Sequence, residues 1–257
     1  MSVEPTVVVS RRRMLTAVAV VGGVGVAGCD MLKAKPAPTT SFVAAEPMYH
    51  DPALPFQRVW RRPDLNWDKY RKLYVAPVDT NHMLRMTEWQ EGVRRAEIES
   101  DVRNLAVYTQ NALKKAFRED PKRRLRVLET TDAAADTLSL EVALIEVVPS
   151  KVVLNMLQHV PWGVGLGISA VRGIAGDKST VAIEARLRDA SSGLILAAMA
   201  DREAQVIAPG NLRGLTWYGH AHQIINNWAD QFVKVVNRDR AAGQVIDDTR
   251  PFTLRPW

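Results

Sequence analysis

Val181-Ala-Ile-Glu-Ala-Arg-Leu-Arg188 alternates in a way that decides the fold. Val181, Ile183, Ala185 and Leu187 share one face, and Glu184, Arg186 and Arg188 share the other. That period of two belongs to a strand with one buried and one wet face. Asp189-Ala-Ser-Ser-Gly193 is a turn sequence, and Leu194 to Ala204 reads as the returning strand of a hairpin. Upstream, Leu138-Ser-Leu-Glu-Val-Ala-Leu-Ile-Glu-Val-Val148 places Leu138, Leu140, Val142 and Leu144 on one face. Lys72 to Val78, stopped by Pro77, and Leu125 to Leu128 are shorter strands.

Two stretches follow a helical period instead. Thr87-Glu-Trp-Gln90 has capping-box spacing. Behind it Ile98, Val102, Leu105, Ala112, Leu113, Ala116 and Phe117 form an apolar stripe that ends before Pro121. Lys114, Lys115 and Arg118 crowd its last turn, where cations suit the helix dipole. Trp217, Ala221, Ile224, Ile225, Trp228, Phe232, Val235 and Val236 form a second stripe. Two single-striped helices need one sheet face to cover. The prediction is an α+β two-layer sandwich, a mixed or antiparallel sheet covered on one face by two amphipathic helices.

Composition agrees with a globular domain: of 257 residues, 47% are hydrophobic and 24% charged, which excludes a disordered or multi-span membrane chain. The single cysteine, Cys29, excludes an intramolecular disulfide framework and multi-cysteine metal sites. Arg11, Arg12 and Arg13 precede the apolar run Met14 to Gly28, which is too short and glycine-rich for a spanning helix and reads as a secretory signal. Val26-Ala-Gly-Cys29 resembles the bacterial lipobox, with Val where Leu is commoner. The resemblance implies cleavage after Gly28 and acylation at Cys29, hence a membrane anchor facing the periplasm. Ser10-Arg-Arg-Arg-Met-Leu15 resembles a twin-arginine signal, an ordinary Sec signal being the alternative. Asp30 directly after the cysteine favours the inner membrane, the outer membrane being the alternative.

The domain plan is therefore a cleaved signal over 1–28, a lipidated cysteine and tether over 29–54, a globular domain over 55–240 and a tail over 241–257. Pro36, Pro38, Pro47, Pro52 and Pro55 among Ala and Thr, with no apolar period, predict the semi-extended tether. The net charge of +6 ordinarily suggests nucleic acid, but beyond the cytoplasm anionic headgroups or wall polymers are the available counter-charges, so no nucleic-acid partner is expected. Arg58-Val-Trp-Arg-Arg62, with Lys69, Arg71 and Lys72, reads as a solvated basic face, with contact to an anionic bilayer as the alternative.

Asp64 to Val78, Glu141 to Ser150, Leu154-Asn155 and the hairpin Ala182 to Ala198 resemble recurrent stretches of a bacterial lipoprotein family, domain of unknown function 3313. Ala229, beside Trp228, fits that family's terminal helix. The resemblance spans about Ser41 to Arg240 and implies a periplasm-facing lipoprotein without assigned activity. Its strand pattern is also similar to the small α/β domains of curli-secretion, TolB amino-terminal and penicillin-binding-protein-activator lipoproteins, an analogy of fold alone.

Catalytic signatures are scarce. No G-x-S-x-G, H-E-x-x-H or cysteine nucleophile is present, and Asp132, Asp136, Asp247 and Asp248 read as cap and loop residues. Gly163, Gly165 and Gly167 lack the remainder of a phosphate-binding motif. His82, Met83 and Met86 combine an imidazole and two thioethers, the set that copper handling uses, while methionines at this spacing also fill cores. His220 and His222 stand two apart, which on a helix faces them differently. No cofactor is expected. Val152 to Val171 carries no formal charge, and Pro161 and the glycines break any spanning helix. Leu157, Trp162, Val164, Leu166 and Ile168 therefore mark a candidate interaction loop for an envelope protein or a second copy. The expectation is a non-enzymatic, lipid-anchored binding module, with a small-ligand or copper-binding lipoprotein as the alternative.

Overall fold

The computed structural model describes residues 34–37, 39–43, 47–63, 65–84, 95–148, 178–206 and 221–246. Six strands form one sheet: β1 (Arg58–Arg61), β2 (Lys72–Val75), β3 (Arg126–Leu128), β4 (Thr137–Val148), β5 (Lys178–Asp189) and β6 (Ile195–Val206). Their spatial order is β1-β6-β5-β4-β2-β3. Among the described residues the helices are α1 (Asn81–Leu84), α2 (Arg95–Arg118) and α3 (Ala221–Val236), with a 3-10 turn at Trp67–Lys69.

The long strands β4, β5 and β6 pair antiparallel, whereas β2 runs parallel to both β3 and β4. A parallel β2–β3 pair needs a crossover, and α2 supplies it. The hairpin expected from the alternation joins β5 to β6, with Leu187 opposite Ala197 and Ala185 opposite Met199. Its turn is closed by Asp189, whose Oδ1 accepts from the Ser191 and Ser192 amides at 3.0 Å each, and by Gly193 at φ +71°, a backbone that favours glycine.

The predicted stripes meet in one core. Val102, Leu105, Leu113 and Phe117 of α2 and Ile224, Ile225 and Trp228 of α3 join Leu138, Leu140, Val142 and Leu144 of β4 in a single buried cluster. Tyr108 of α2 donates to Asn226 of α3 at 3.1 Å and stacks on His222, ring centres 3.8 Å apart. Burial lowers the His222 pKa.

The other sheet face is not simply wet. A strap of residues 34–37 and 39–43, where the sequence predicts a semi-extended tether, lies across it. Glu184, predicted to face water, is only 2% exposed beneath Thr40. Its carboxylate accepts from the Thr40 amide and the Thr40 hydroxyl, both at 2.6 Å. Arg186 donates to the Phe42 carbonyl at 3.0 Å with its guanidinium 4.2 Å from the Phe42 ring centre. Gln57 donates to the Ala34 carbonyl at 2.7 Å, and Arg58 to that of Ala37. Ala37 and Phe42 pack there on Ala143, Ile145 and Ala182. The physical reason is that a charged residue on an alternating strand is read as solvated only if nothing covers it, and Thr40 satisfies this carboxylate locally.

The remaining tether and tail also contribute. Tyr49 exchanges two backbone hydrogen bonds with Val59 of β1, at 2.7 and 2.8 Å. Ile246, in the stretch predicted as a periodless tail, is buried and its amide donates to the Ala53 carbonyl.

Candidate functional site

Between the helix-facing side of the sheet and the C-terminal ends of α2 and α3 lies a cavity of about 130 Å³. Its walls are supplied by the alternation itself. Leu73 of β2, Leu138 and Leu140 of β4, Ala185 and Leu187 of β5, and Ala197 and Met199 of β6 project from one sheet face. Phe117, Phe232, Val235 and Val236 close it from the helices, and Phe56 and Val59 from the β1 side. Phe56 and Phe232 are tilted against each other, ring centres 5.2 Å apart.

Five arginines stand among the described lining residues. Arg186 of β5 turns its guanidinium to Phe42 on the other sheet face, and the other four come from three segments: Arg61 at the end of β1, Arg124 after α2, and Arg238 and Arg240 after α3. Arg61 pairs with Asp51 at 3.2 Å, and Arg124 with Asp68 at 2.7 Å. Arg124 also donates to the Val236 carbonyl at 3.1 Å, where a cation suits the C-terminal end of α3. Arg238 donates to the Gln244 carbonyl, and Arg240 lies over the Trp67 ring, 5.2 Å from its centre. Among the described residues no carboxylate pairs with Arg238 or Arg240. Burial, and then the like charges of Arg124, Arg238 and Arg61, lower the Arg240 pKa.

Apart from the arginines and the indoles of Trp60 and Trp67, Tyr70 is the one polar side chain in the described lining. Its hydroxyl is taken up by Asp189 at 2.8 Å, whose Oδ2 also accepts from Lys69 at 2.9 Å. Burial works to raise the Asp189 pKa. Hydrogen bonds from Ser191, Lys69, the Ser192 amide and Tyr70 outweigh it and hold the carboxyl well below the usual range. Burial and the bond to Asp189 raise the Tyr70 pKa, so the phenol stays neutral.

The residues singled out from sequence scatter. Met83 is buried in the main core, His82 meets the Phe42 ring edge-on with centres 6.4 Å apart, and Met86 lies outside the described residues. Among the described residues no group of three or more His, Cys, Asp or Glu side chains is placed to hold a metal. Asp132 caps the Ala134 amide at 3.1 Å and, with Asp136, pairs with Lys72. Within the basic stretch, Lys69 and Lys72 are salt-bridged, and Arg62 reaches the Ile195 carbonyl. Cys29, His220 and the loop residues Leu157, Trp162, Val164, Leu166 and Ile168 lie outside the described residues. Sequence reasoning missed the cluster of Arg61, Arg124, Arg238 and Arg240 because its members stand in three unrelated stretches, none of which carries a motif.

No curated protein sequence matches the chain. Solved structures that resemble it do so weakly. A PelC dodecamer subunit from Paraburkholderia phytofirmans is 11% identical, with 67% of this chain and 95% of that one covered and a TM-score of 0.37. Protein XCC0632 from Xanthomonas campestris, of family DUF330, is 10% identical over 69% and 90%, with a TM-score of 0.39. The hypothetical protein CT253 from Chlamydia trachomatis is 10% identical over 65% and 98%, also at 0.39. A family model described as a protein of unknown function, DUF3313, matches residues 49–232, from the Tyr49 bridge through the core of α3, and the chain belongs to that family.

Proposed function

We propose that this chain is a lipoprotein anchored through Cys29, facing the periplasm, whose domain binds an envelope protein or a second copy of itself and catalyses nothing. The observation that carries this reading is the chemistry of the cavity. Its described lining holds aliphatic, aromatic and arginine side chains and Tyr70, with no serine, cysteine, histidine or carboxylate. Guanidinium groups stay protonated and cannot act as a general base, and the phenol is committed to Asp189. Such a cavity can hold a molecule but lacks groups to transform one. Asp30 favours the inner membrane, and the uncharged Val152 to Val171 stretch is the interaction surface.

The docked strap sharpens the anchoring proposal. Only five peptide steps separate Cys29 from Ala34, a reach of at most ~18 Å at ~3.5 Å per residue. A domain so leashed works close to its membrane.

Fractionation tests the anchor. Cys29→Ser should move the protein to the soluble periplasmic fraction, or leave unprocessed precursor, with its fold retained. Mature protein still firmly membrane-bound after that change would refute the anchor. Crosslinking in intact envelopes tests the surface. Leu157→Asp and Trp162→Asp should abolish self-association or partner recovery with stability changed by less than ~0.5 kcal/mol, as exposed sites allow. Loss of folding in both variants would refute the surface, and stoichiometric copper in the purified protein would refute the binding-module reading.

A further inference from the structure

We propose that the arginine-rimmed cavity binds a small amphipathic anion, its alkyl chain inside and its carboxylate or phosphate head at Arg238 and Arg240. The inference stands on the cavity and does not depend on how the chain is anchored.

Size and wall chemistry select the tail. Apolar cavities of about 150 Å³ lined by aliphatic and aromatic side chains stay dry and take up apolar molecules of benzene size. This one, at about 130 Å³ with walls such as Leu73, Leu140, Met199 and Phe232, has room for the end of an alkyl chain. Water inside would find few partners. A sugar or nucleoside would leave its own hydroxyls unpaired against the same walls, at a steep cost.

Charge selects the head. Four guanidinium groups are met by Asp51 at Arg61 and by Asp68 at Arg124. Among the described residues Arg238 and Arg240 leave most of their five N–H donors without a partner, arranged in the planar fork that fits two oxygens of a carboxylate or phosphate. Like charges crowd Arg240, and an anion between these groups relieves the crowding. Trp67, beneath Arg240, lies where tail would give way to head.

The test uses the full-length chain carrying Cys29→Ser, freed of detergent and lipid, in equilibrium dialysis. Its ligands are dodecanoate, dodecyl phosphate, dodecanol and inorganic phosphate. One equivalent of dodecanoate or dodecyl phosphate should bind saturably, dodecanol at least tenfold more weakly, and inorganic phosphate alone not at all. The tighter of the two anions identifies a free fatty acid or a phospholipid-type head as the source. The double variant Arg238→Ala/Arg240→Ala should weaken both anions at least tenfold and leave dodecanol within twofold, a split that general loosening of the fold would not produce. Ala197→Phe, which puts a ring into the cavity, should remove binding of every alkyl ligand; should that variant not fold, the arginine pair still decides. Dodecanol binding as tightly as dodecanoate, or unchanged anion affinity in the arginine variant, would overturn the proposal. So would binding that emerges only once Phe252, Leu254 and Trp257 are changed to serine, since the cavity would then belong to the chain's own terminal segment.

Discussion

Thr40→Val removes one hydroxyl and almost no volume. In the native fold that hydroxyl lies 2.6 Å from Glu184 Oε2, and the carboxylate it serves is 2% exposed. Hydrogen bonds to charged groups contribute about 1.5–3 kcal/mol, so the substitution should cost ~2 kcal/mol. The loss should fall on the strap rather than on the whole domain. The strap is held by a short set of contacts, chiefly the Thr40 amide on Glu184 and the carbonyls taken by Gln57, Arg58 and Arg186. The β4–β5–β6 ladder beneath it has its own extensive pairing. At 1.4 kcal/mol per tenfold, ~2 kcal/mol raises the open population of the strap roughly thirty-fold. Amide hydrogen exchange at Thr40 and Val43 should accelerate by about that factor, with β4 and β5 amides unchanged. Equal acceleration in strap and sheet would show that the strap does not open by itself. No acceleration at either amide would show that the Thr40–Glu184 bond is not holding it.

Asp189→Asn should lower stability by ~2–3 kcal/mol at neutral pH, because Lys69, Tyr70 and Ser191 all donate to the carboxylate. The folded pKa is depressed, so this stability is present above the unfolded value near ~3.9 and is lost as pH falls towards the folded one. The gap between wild type and variant, measured in urea, should accordingly narrow by ~1 kcal/mol from pH 5 to pH 3; a constant gap would contradict the assignment. Trp228→Phe removes the indole N–H that donates to Asp201 at 2.7 Å and leaves a void beside a 2% exposed position. A cost of ~3 kcal/mol, or a Tm lower by roughly 6–12 °C, should appear in thermal melts, and a change under ~1 kcal/mol would refute the bond's weight.

The layer arrangement was legible because burial on this chain is periodic. Leu138, Leu140, Val142 and Leu144 on β4, and Val102, Leu105 and Phe117 on α2, are all in the core as their spacing requires. β1 was not legible: Arg58-Val-Trp-Arg61 is a four-residue edge strand with as many charges as apolar positions, followed directly by Arg62, so it reads as a basic patch. The strap was hidden for another reason. Thr40 sits in a proline- and threonine-rich run that resembles a linker, and the carboxylate that orders it is 144 positions away. The cavity follows from both. Its walls could be inferred from alternating leucines, but Arg61, Arg124, Arg238 and Arg240 converge only once β1 and the post-α3 turn have docked.

The distance in sequence between Thr40 and Glu184 also bears on the order in which the chain assembles. The β5–β6 hairpin closes over a five-residue turn, whereas β1 must find β6 from about 140 positions upstream. Loop-closure entropy favours the short connection, and long-range pairing gains its reward late. The hairpin and its β4 neighbour should therefore form early, and β1 with the strap should settle last, onto a finished sheet. Phe56, Val59 and Arg61 arrive with that final step, so the chamber under the sheet is completed by the same event that docks the strap on its other face. The segment that is synthesised first is thus the last to find its place.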